Sequence, residues 1–292
     1  RNGREYAAVG LVLALLRLPP YPVACRIARL LLRPFEARFK KVAEANLSMA
    51  LPEANHAAVI EGCFRSVARL LALLPRFPSI HQGNVREWIR YDGFEHFEQA
   101  KRRGKGVLFA TAHLGNWEFS AFAHALMAEP MAIVVRPLDN PWLDRLATRY
   151  RTLSGNRVLA RTDYARPMLE ILRSNGALGI LVDQNVTADR GVFVDFFGIP
   201  ACVDAGFAKL AAHTGATVIP GYALWSEEER KFILRFDPPV PMSGDALADT
   251  QSVQAALERA IRRHPDQWLW IHRRWKTRPP AEPDGEGLPP GH

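Results

Sequence analysis

A layered α/β fold with a largely parallel central sheet, preceded by a helical region suited to a membrane interface, is what the sequence predicts. Three observations carry this. From about residue 83 short β-rich runs alternate with helix-length stretches. Residues 1 to about 82 contain helical periodicity and no clear strand. That first region also opens on an apolar run followed by clustered arginines and lysines. The boundaries that follow are 1–82 for the helical membrane-associated region, 83–278 for the α/β domain and 279–292 for a disordered tail.

The apolar run Tyr6–Leu16, YAAVGLVLALL, has 11 uncharged residues, about half of the roughly 20 that span a bilayer. Residues preceding Arg1 would extend it towards a spanning helix. A signal peptide needs a small-residue cleavage site, and RLPPYPV is a poor one. A buried core helix is one alternative. An interfacial anchor is preferred, because VACRIARLLLRPFEARFKK places Arg26, Arg29, Arg33, Arg38, Lys40 and Lys41 among Val, Ile, Leu and Phe. The stretch KVAEANLSMAL is the next helix candidate. In Ala57–Leu74, Val59, Cys63, Val67, Leu70, Leu71 and Leu74 then recur at helical spacing.

In the α/β part the expected strands are Val107–Ala112, Met131–Val135, Arg157–Ala160, Ala177–Val182, Thr217–Leu224 and Phe232–Phe236. The expected helices are Trp117–Met127, Pro141–Leu153, Ala165–Ser174, Ala205–His213 and Gln251–His264. Pro141 suits the first turn of its helix. The tail RPPAEPDGEGLPPGH is rich in Pro and Gly and has no apolar face.

With 292 residues and 48% hydrophobic content the chain can bury a sizeable core. Net charge is +8, and the body is more basic still, since residues 279–292 carry Glu282, Asp284 and Glu286 and neither Lys nor Arg. Such a surface suits an anionic partner: anionic lipid, an acidic protein or nucleic acid. Cys25, Cys63 and Cys202 are dispersed and form no CxxC pair. This argues against a disulfide framework or zinc site and for a reducing compartment. No metal or cofactor is expected.

The chemistry concentrates in GVLFATAHLGNWEFSAF, Gly106–Phe122. A strand-like run ends in His113, and Glu118 follows five residues later, which is the wrong spacing for one face of a continuous helix. Gly115 relaxes a turn, Asn116 is a good N-cap, and Glu118 falls in the first helical turn. The bend would bring the carboxylate back towards the imidazole and fix its tautomer for proton removal from a hydroxyl. Alternatively, His113 satisfies a loop carbonyl and Glu118 complements the helix dipole. There is no G-x-S-x-G elbow, P-loop, H-E-x-x-H or strand-linked G-x-G-x-x-G.

TAHLGNWE resembles the H-x4-[DE] block of the glycerolipid acyltransferase superfamily. GKGVLFATAHLGNWE, VVRPLDNPWLDRL, LGILVDQN, GVFVDFFGIPA and HPDQWLWIHRRWK occur in the order of the bacterial lipid A late acyltransferases, the lauroyl- and myristoyl-type enzymes. The resemblance covers nearly the whole body of the chain. It implies a layered acyltransferase fold and transfer of a fatty acyl chain from acyl carrier protein to a hydroxyl of a lipid A precursor. The place implied is the cytoplasmic face of the bacterial inner membrane. His113 is implied as general base and Glu118 as the residue that orients it. The same pattern includes enzymes that acylate phosphatidylinositol mannosides, and a coenzyme A donor is the alternative to the carrier protein.

Asn116, Arg136, Asp183, Gln184, Arg273 and Arg274 complete the expected substrate-binding set. Arg136 follows an apolar strand and suits a phosphate or an oxyanion; an exposed strand-end arginine is the alternative. Asp183 and Gln184 are either a loop anchor or part of the acceptor site. Phe193, Phe196 and Phe197 suit an acyl groove or plain core. Trp268, Trp270 and Trp275 beside Arg273, Arg274 and Lys276 suit a headgroup belt or a stacked domain edge. The rival class is a non-enzymatic basic protein that binds membrane or nucleic acid. The absence of a recognisable nucleic-acid module counts against nucleic acid as a partner.

Overall fold

The computed structural model describes residues 2–160 and 165–280. The tail expected at 279–292 therefore lies, from residue 281, outside the described residues. Three helices come first, α1 Asn2–Arg17, α2 Tyr21–Ala50 and α3 His56–Leu73. A 3-10 turn over Leu74–Ser79 leads into α4 Val85–Trp88, β1 Ile89–Asp92 and α5 Phe94–Arg102. Strands and helices then alternate as β2 Val107–Thr111, α6 Trp117–Met127, β3 Ala132–Val135, α7 Pro141–Thr152, β4 Arg157–Ala160, α8 Ala165–Arg173 and β5 Ala177–Leu181. A hairpin of β6 Val192–Phe196 and β7 Ile199–Val203 precedes α9 Gly206–Thr214, β8 Thr217–Ser226, β9 Lys231–Phe236 and α10 Ala246–Arg263.

Seven strands form one sheet in the order β1-β9-β8-β2-β5-β3-β4. The five from β8 to β4 are mutually parallel, and the β8–β9 pair is antiparallel. This is the mostly parallel α/β architecture that the alternation predicts. The strand β2 is central, with β8 on one side and β5 on the other, so both its faces are covered and its residues Val107–Ala110 are buried.

Several elements differ from expectation, among them the helices α4 and α5, which lie where no helix is expected. The strand β1, IRYD, is a polar edge strand without an apolar run to announce it. The hairpin β6–β7 turns at Phe197 and Gly198, both with positive φ (61° and 76°), the geometry of a tight two-residue turn. The helix α10 starts five residues before the expected Gln251, where the Asp245 side chain accepts a hydrogen bond from the Ala248 N–H.

The basic stretch and KVAEANLSMAL form one 30-residue helix, α2, which runs through an exposed Pro34. Its inward stripe of Ala24, Ala28, Ala43, Leu47 and Ala50 packs closely on α3. The second half of α2 shares a core with Ala112, Leu114, Tyr222 and the tryptophans of the C-terminal segment. On α1, Leu13 and Leu16 face inward while Leu11 and Leu15 are exposed. The apolar run is thus split between core and surface. No helix among the described residues is long and apolar enough to cross a membrane.

Candidate active site

The strands β2 and β5 are parallel neighbours in register, with Thr111 opposite Leu181. The ladder continues one step, as the Val182 N–H donates to the Thr111 carbonyl at 3.0 Å. His113 and Asp183 each follow two residues after those paired ends, so the register delivers both side chains to the carboxyl edge of the sheet, where α/β folds collect ligands. Asp183 Oδ1 is 2.8 Å from His113 Nδ1, and Oδ2 accepts from the His113 backbone N–H at 2.8 Å. The Trp268 indole N–H donates to the same Oδ2 at 2.8 Å.

Asp183 is buried. Burial alone would raise its pKa, but the charge and hydrogen bonds of His113, with the Trp268 indole, hold the carboxyl down at about 2. On His113 burial pulls the pKa down. The attraction and hydrogen bond of Asp183, with a smaller contribution from Glu118, outweigh that pull, and the net shift is upward. With Nδ1–H committed to Asp183, Nε2 carries the lone pair. The Gln184 side-chain amide lies 3.3 Å from Nε2, and the Trp117 ring packs edge-on at 5.0 Å.

The hydrogen bond expected between Glu118 and His113 is not formed; Asp183 takes it. Glu118 is instead clamped bidentately by Arg151 of α7, at 2.6 and 2.9 Å. The reason is the turn between β2 and α6. Gly115 has φ +67°, and a Cβ there would fall 2.1 Å from the Ala223 carbonyl oxygen, so only glycine lets the chain press against β8. Asn116 then caps α6 by accepting from the Phe119 N–H at 3.0 Å. Glu118 leaves the first turn towards α7. Asn116 is buried and serves the turn; its side-chain N–H group has no partner among the described residues.

His113, Gln184, Arg136 and Glu118 line a cleft of about 1040 Å³ that continues along α9 to Lys209 and His213. Arg136 stands on its rim, 80% exposed and 3.5 Å from Asp139. A smaller pocket of about 80 Å³ leads inward beneath α6 and shares Trp117, Glu118 and Arg151 with the cleft.

The C-terminal segment departs from the headgroup belt. Trp268, Trp270, Trp275 and Arg274 are all buried. The Arg274 guanidinium donates to the Cys202 carbonyl at 3.1 Å and to Gln254 Oε1 at 3.2 Å and stands over the Phe196 ring. Burial lowers its pKa to about 10. Phe196 and Phe197 pack on the three tryptophans as core. Arg273 is exposed. Its place on a surface beside a buried run explains why composition alone suggests an amphipathic belt. No cluster of three or more His, Cys, Asp or Glu residues fit to hold a metal occurs among the described residues.

Sequence reasoning places Asp183 with the acceptor and misses its partnership with His113. The signal was present: AT-A-H and IL-V-D are equidistant from the ends of two strand candidates. Arg151 and the Trp268 indole carry no comparable local signal, because both reach the site from elements remote in sequence.

Residues 4–277 match the family described as bacterial lipid A biosynthesis acyltransferase. The chain is 28% identical over 251 residues to a lipid A biosynthesis acyltransferase of Haemophilus influenzae, covering 84% of this chain and 77% of the relative. It is 28% identical over 288 residues to the lipid A biosynthesis lauroyltransferase of Escherichia coli, covering 95% and 93%. A phosphatidylinositol mannoside acyltransferase of Mycolicibacterium smegmatis is 28% identical over 221 residues, covering 74% and 72%.

Proposed function

The chain belongs to the bacterial lipid A biosynthesis acyltransferase family, and from that premise we propose that it moves a fatty acyl chain from an acyl thioester to a hydroxyl of a lipid A precursor. The observation that carries the mechanism is the His113–Asp183 pair, with Nδ1 held at 2.8 Å and Nε2 turned to the cleft. The acceptor hydroxyl attacks the thioester carbonyl as Nε2 removes its proton. Asp183 stabilises the imidazolium that forms. Collapse of the tetrahedral intermediate breaks the C–S bond, and the leaving thiolate takes the proton back from His113. Glu118, clamped by Arg151, adds negative charge near the imidazole without touching it. Arg136 on the cleft rim suits a phosphate of either substrate.

Acyl carrier protein is the donor that the basic body favours, because steering of an acidic carrier to a positive surface raises encounter rates. On this reading residues 1–82 are the membrane-associated region and 83–278 the acyltransferase domain. Exposed Leu11, Leu18, Leu30 and Phe35 beside Arg26, Arg33 and Arg38 support attachment to anionic lipid. The cytoplasmic face of the inner membrane is where such an enzyme meets both substrates. The similarity to a phosphatidylinositol mannoside acyltransferase favours one second acceptor, that glycolipid.

The test is transfer from acyl carrier protein thioesters to each purified acceptor in neutral detergent micelles, followed by mass spectrometry. His113→Ala should slow the chemical step by about 10²–10⁴-fold in a protein that still folds, with a lower melting temperature because the buried Asp183 loses its imidazole partner. A folded His113→Ala protein with near-normal transfer would overturn the mechanism. Transfer to the mannoside alone would replace the lipid A acceptor by the second.

A further inference from the structure

The inner pocket beneath α6 is lined on its long sides by apolar groups, among them Phe109, Met131, Ile133, Leu234 and Phe236. It passes two strand positions that lack side chains, Gly179 on β5 and Gly221 on β8. A Cβ at Gly179 would come within 2.7 Å of Met131 Cε, and one at Gly221 within 3.0 Å of Phe236 Cδ1. Along α6 its wall is Trp117, Glu118, Ala121 and His124, spaced as one helical face. From Glu118, at the border with the main cleft, to His124 is six residues, about 9 Å of helix.

Five of the lining side chains are hydroxyl-bearing or charged or imidazole groups, and three have internal partners. Glu118 and Arg151 satisfy each other, and the Ser120 hydroxyl donates to the Trp117 carbonyl at 2.9 Å. The remaining two do not. His124 is 1% exposed, and its Nδ1 lies 2.7 Å from the Tyr91 hydroxyl, yet its Nε2 is buried without a partner among the described residues. The Thr111 hydroxyl is in the same condition. Unpaired polar atoms among apolar side chains are destabilising, so a ligand group that pairs them is favoured. Burial holds His124 neutral by lowering its pKa to about 3, with Lys101 adding to the effect. If Tyr91 donates to Nδ1, Nε2 bears a proton; if Nδ1 donates to Tyr91, Nε2 is an acceptor. A hydroxyl satisfies either state, and it satisfies Thr111 as well.

We propose that this pocket receives the distal part of the acyl chain and that His124 and Thr111 select a chain bearing a hydroxyl at that depth, so the donor class is a hydroxyacyl thioester. The inference rests on the acyl-transfer reading above. A plain alkyl end would leave both polar atoms buried and unpaired, while a hydroxyl would offer them a partner.

The experiment is a competition between an unsubstituted straight-chain acyl carrier protein thioester and isomers of equal length with one hydroxyl at successive carbons. The readout is the ratio of kcat/KM values. The wild type should favour at least one isomer with the hydroxyl in the far part of the chain by about 10-fold or more. Thr111→Val and His124→Phe should each bring that ratio near one; Thr111→Val keeps the test intact if the larger ring change lowers the yield of folded protein. Preference of the wild type for the unsubstituted chain over every isomer would overturn the inference and leave acyl transfer standing. A ratio unmoved by both substitutions would also overturn it, leaving the His124 ring as packing against Phe97, with ring centroids 4.7 Å apart. Transfer of none of the donors by the wild type would overturn the acyl-transfer reading and this inference together.

Discussion

Two segments of this chain mix arginine with large apolar residues, and they end in opposite places. Leu11 on α1 is 73% exposed and Leu18, in the link to α2, 85% exposed, and the exposed Arg26 and Arg33 follow on α2. In Trp268–Lys276, Trp270 and Arg274 are wholly buried. Composition does not separate them, since each offers the aromatic or aliphatic surface and guanidinium groups that suit a headgroup region. Connectivity does. The C-terminal segment crosses the sheet edge, where the Leu269 N–H donates to the His113 carbonyl at 3.0 Å and the Trp268 indole meets Asp183. The α1–α2 region buries a stripe of alanines with Leu13, Leu16 and Leu47 and leaves Leu11, Leu15, Leu30 and Phe35 outside.

The largest effect that sharpens this contrast is expected at Asp183, which the C-terminal segment meets through the Trp268 indole. Asp183→Asn should lower kcat/KM by about 10³–10⁴-fold, because an amide admits the wrong imidazole tautomer and does not stabilise the imidazolium. The pH profile gives the sign. The base must be neutral, so activity falls as pH drops through the His113 pKa, which Asp183 raises. Loss of that charge leaves burial dominant, and the acid limb should move to lower pH. An unmoved limb would mean that Asp183 does not act on the reacting imidazole.

How legible was this in the sequence? The sheet was, because Val107–Thr111, Ala177–Leu181 and Thr217–Ser226 are apolar runs bounded by turns. The polar β1 was not, since a four-residue edge strand has little apolar pattern to read. His113 stands out because a histidine ending an apolar run is locally visible. Its carboxylate partner was assigned to Glu118, and the structure supplies Asp183, since strand adjacency is a tertiary fact: β2 and β5 pair across about 70 residues of chain. Arg274 reads as a headgroup ligand in the sequence because charge usually marks the surface. Its burial depends on the Cys202 carbonyl and Gln254, which no local pattern reveals.

At the outer segment the expected effect is smaller and concerns binding. Leu11→Ser together with Leu18→Ser should weaken partition to anionic vesicles by about 100-fold, given roughly 1.5–3 kcal/mol for full burial of each leucine and only partial insertion here. Transfer in neutral detergent micelles should stay close to normal. Vesicle flotation measures the first, and the micelle assay the second. Unchanged partition of a folded double variant would move attachment away from α1, and the comparison between the two segments would lose its functional meaning.

The smallest effect tests whether the buried segment only packs or also tunes the base. Trp268→Phe removes one N–H from Asp183 Oδ2 and keeps most of the ring that packs on Phe196 and Trp270. Two hydrogen bonds from His113 to Asp183 remain, so the loss in kcat/KM should be about 10-fold, in line with one charge-assisted bond of about 1.5–3 kcal/mol acting at one remove. The direction of the pH shift is the discriminating readout. With the indole gone, less of the carboxylate's charge is neutralised, its attraction for the imidazolium grows, and the His113 pKa should rise. The acid limb therefore moves up in Trp268→Phe and down in Asp183→Asn. A purely structural tryptophan would lower the melting temperature and the yield of folded enzyme while leaving the limb in place. Opposite shifts in the two variants would show that the C-terminal segment reaches the chemistry through Asp183.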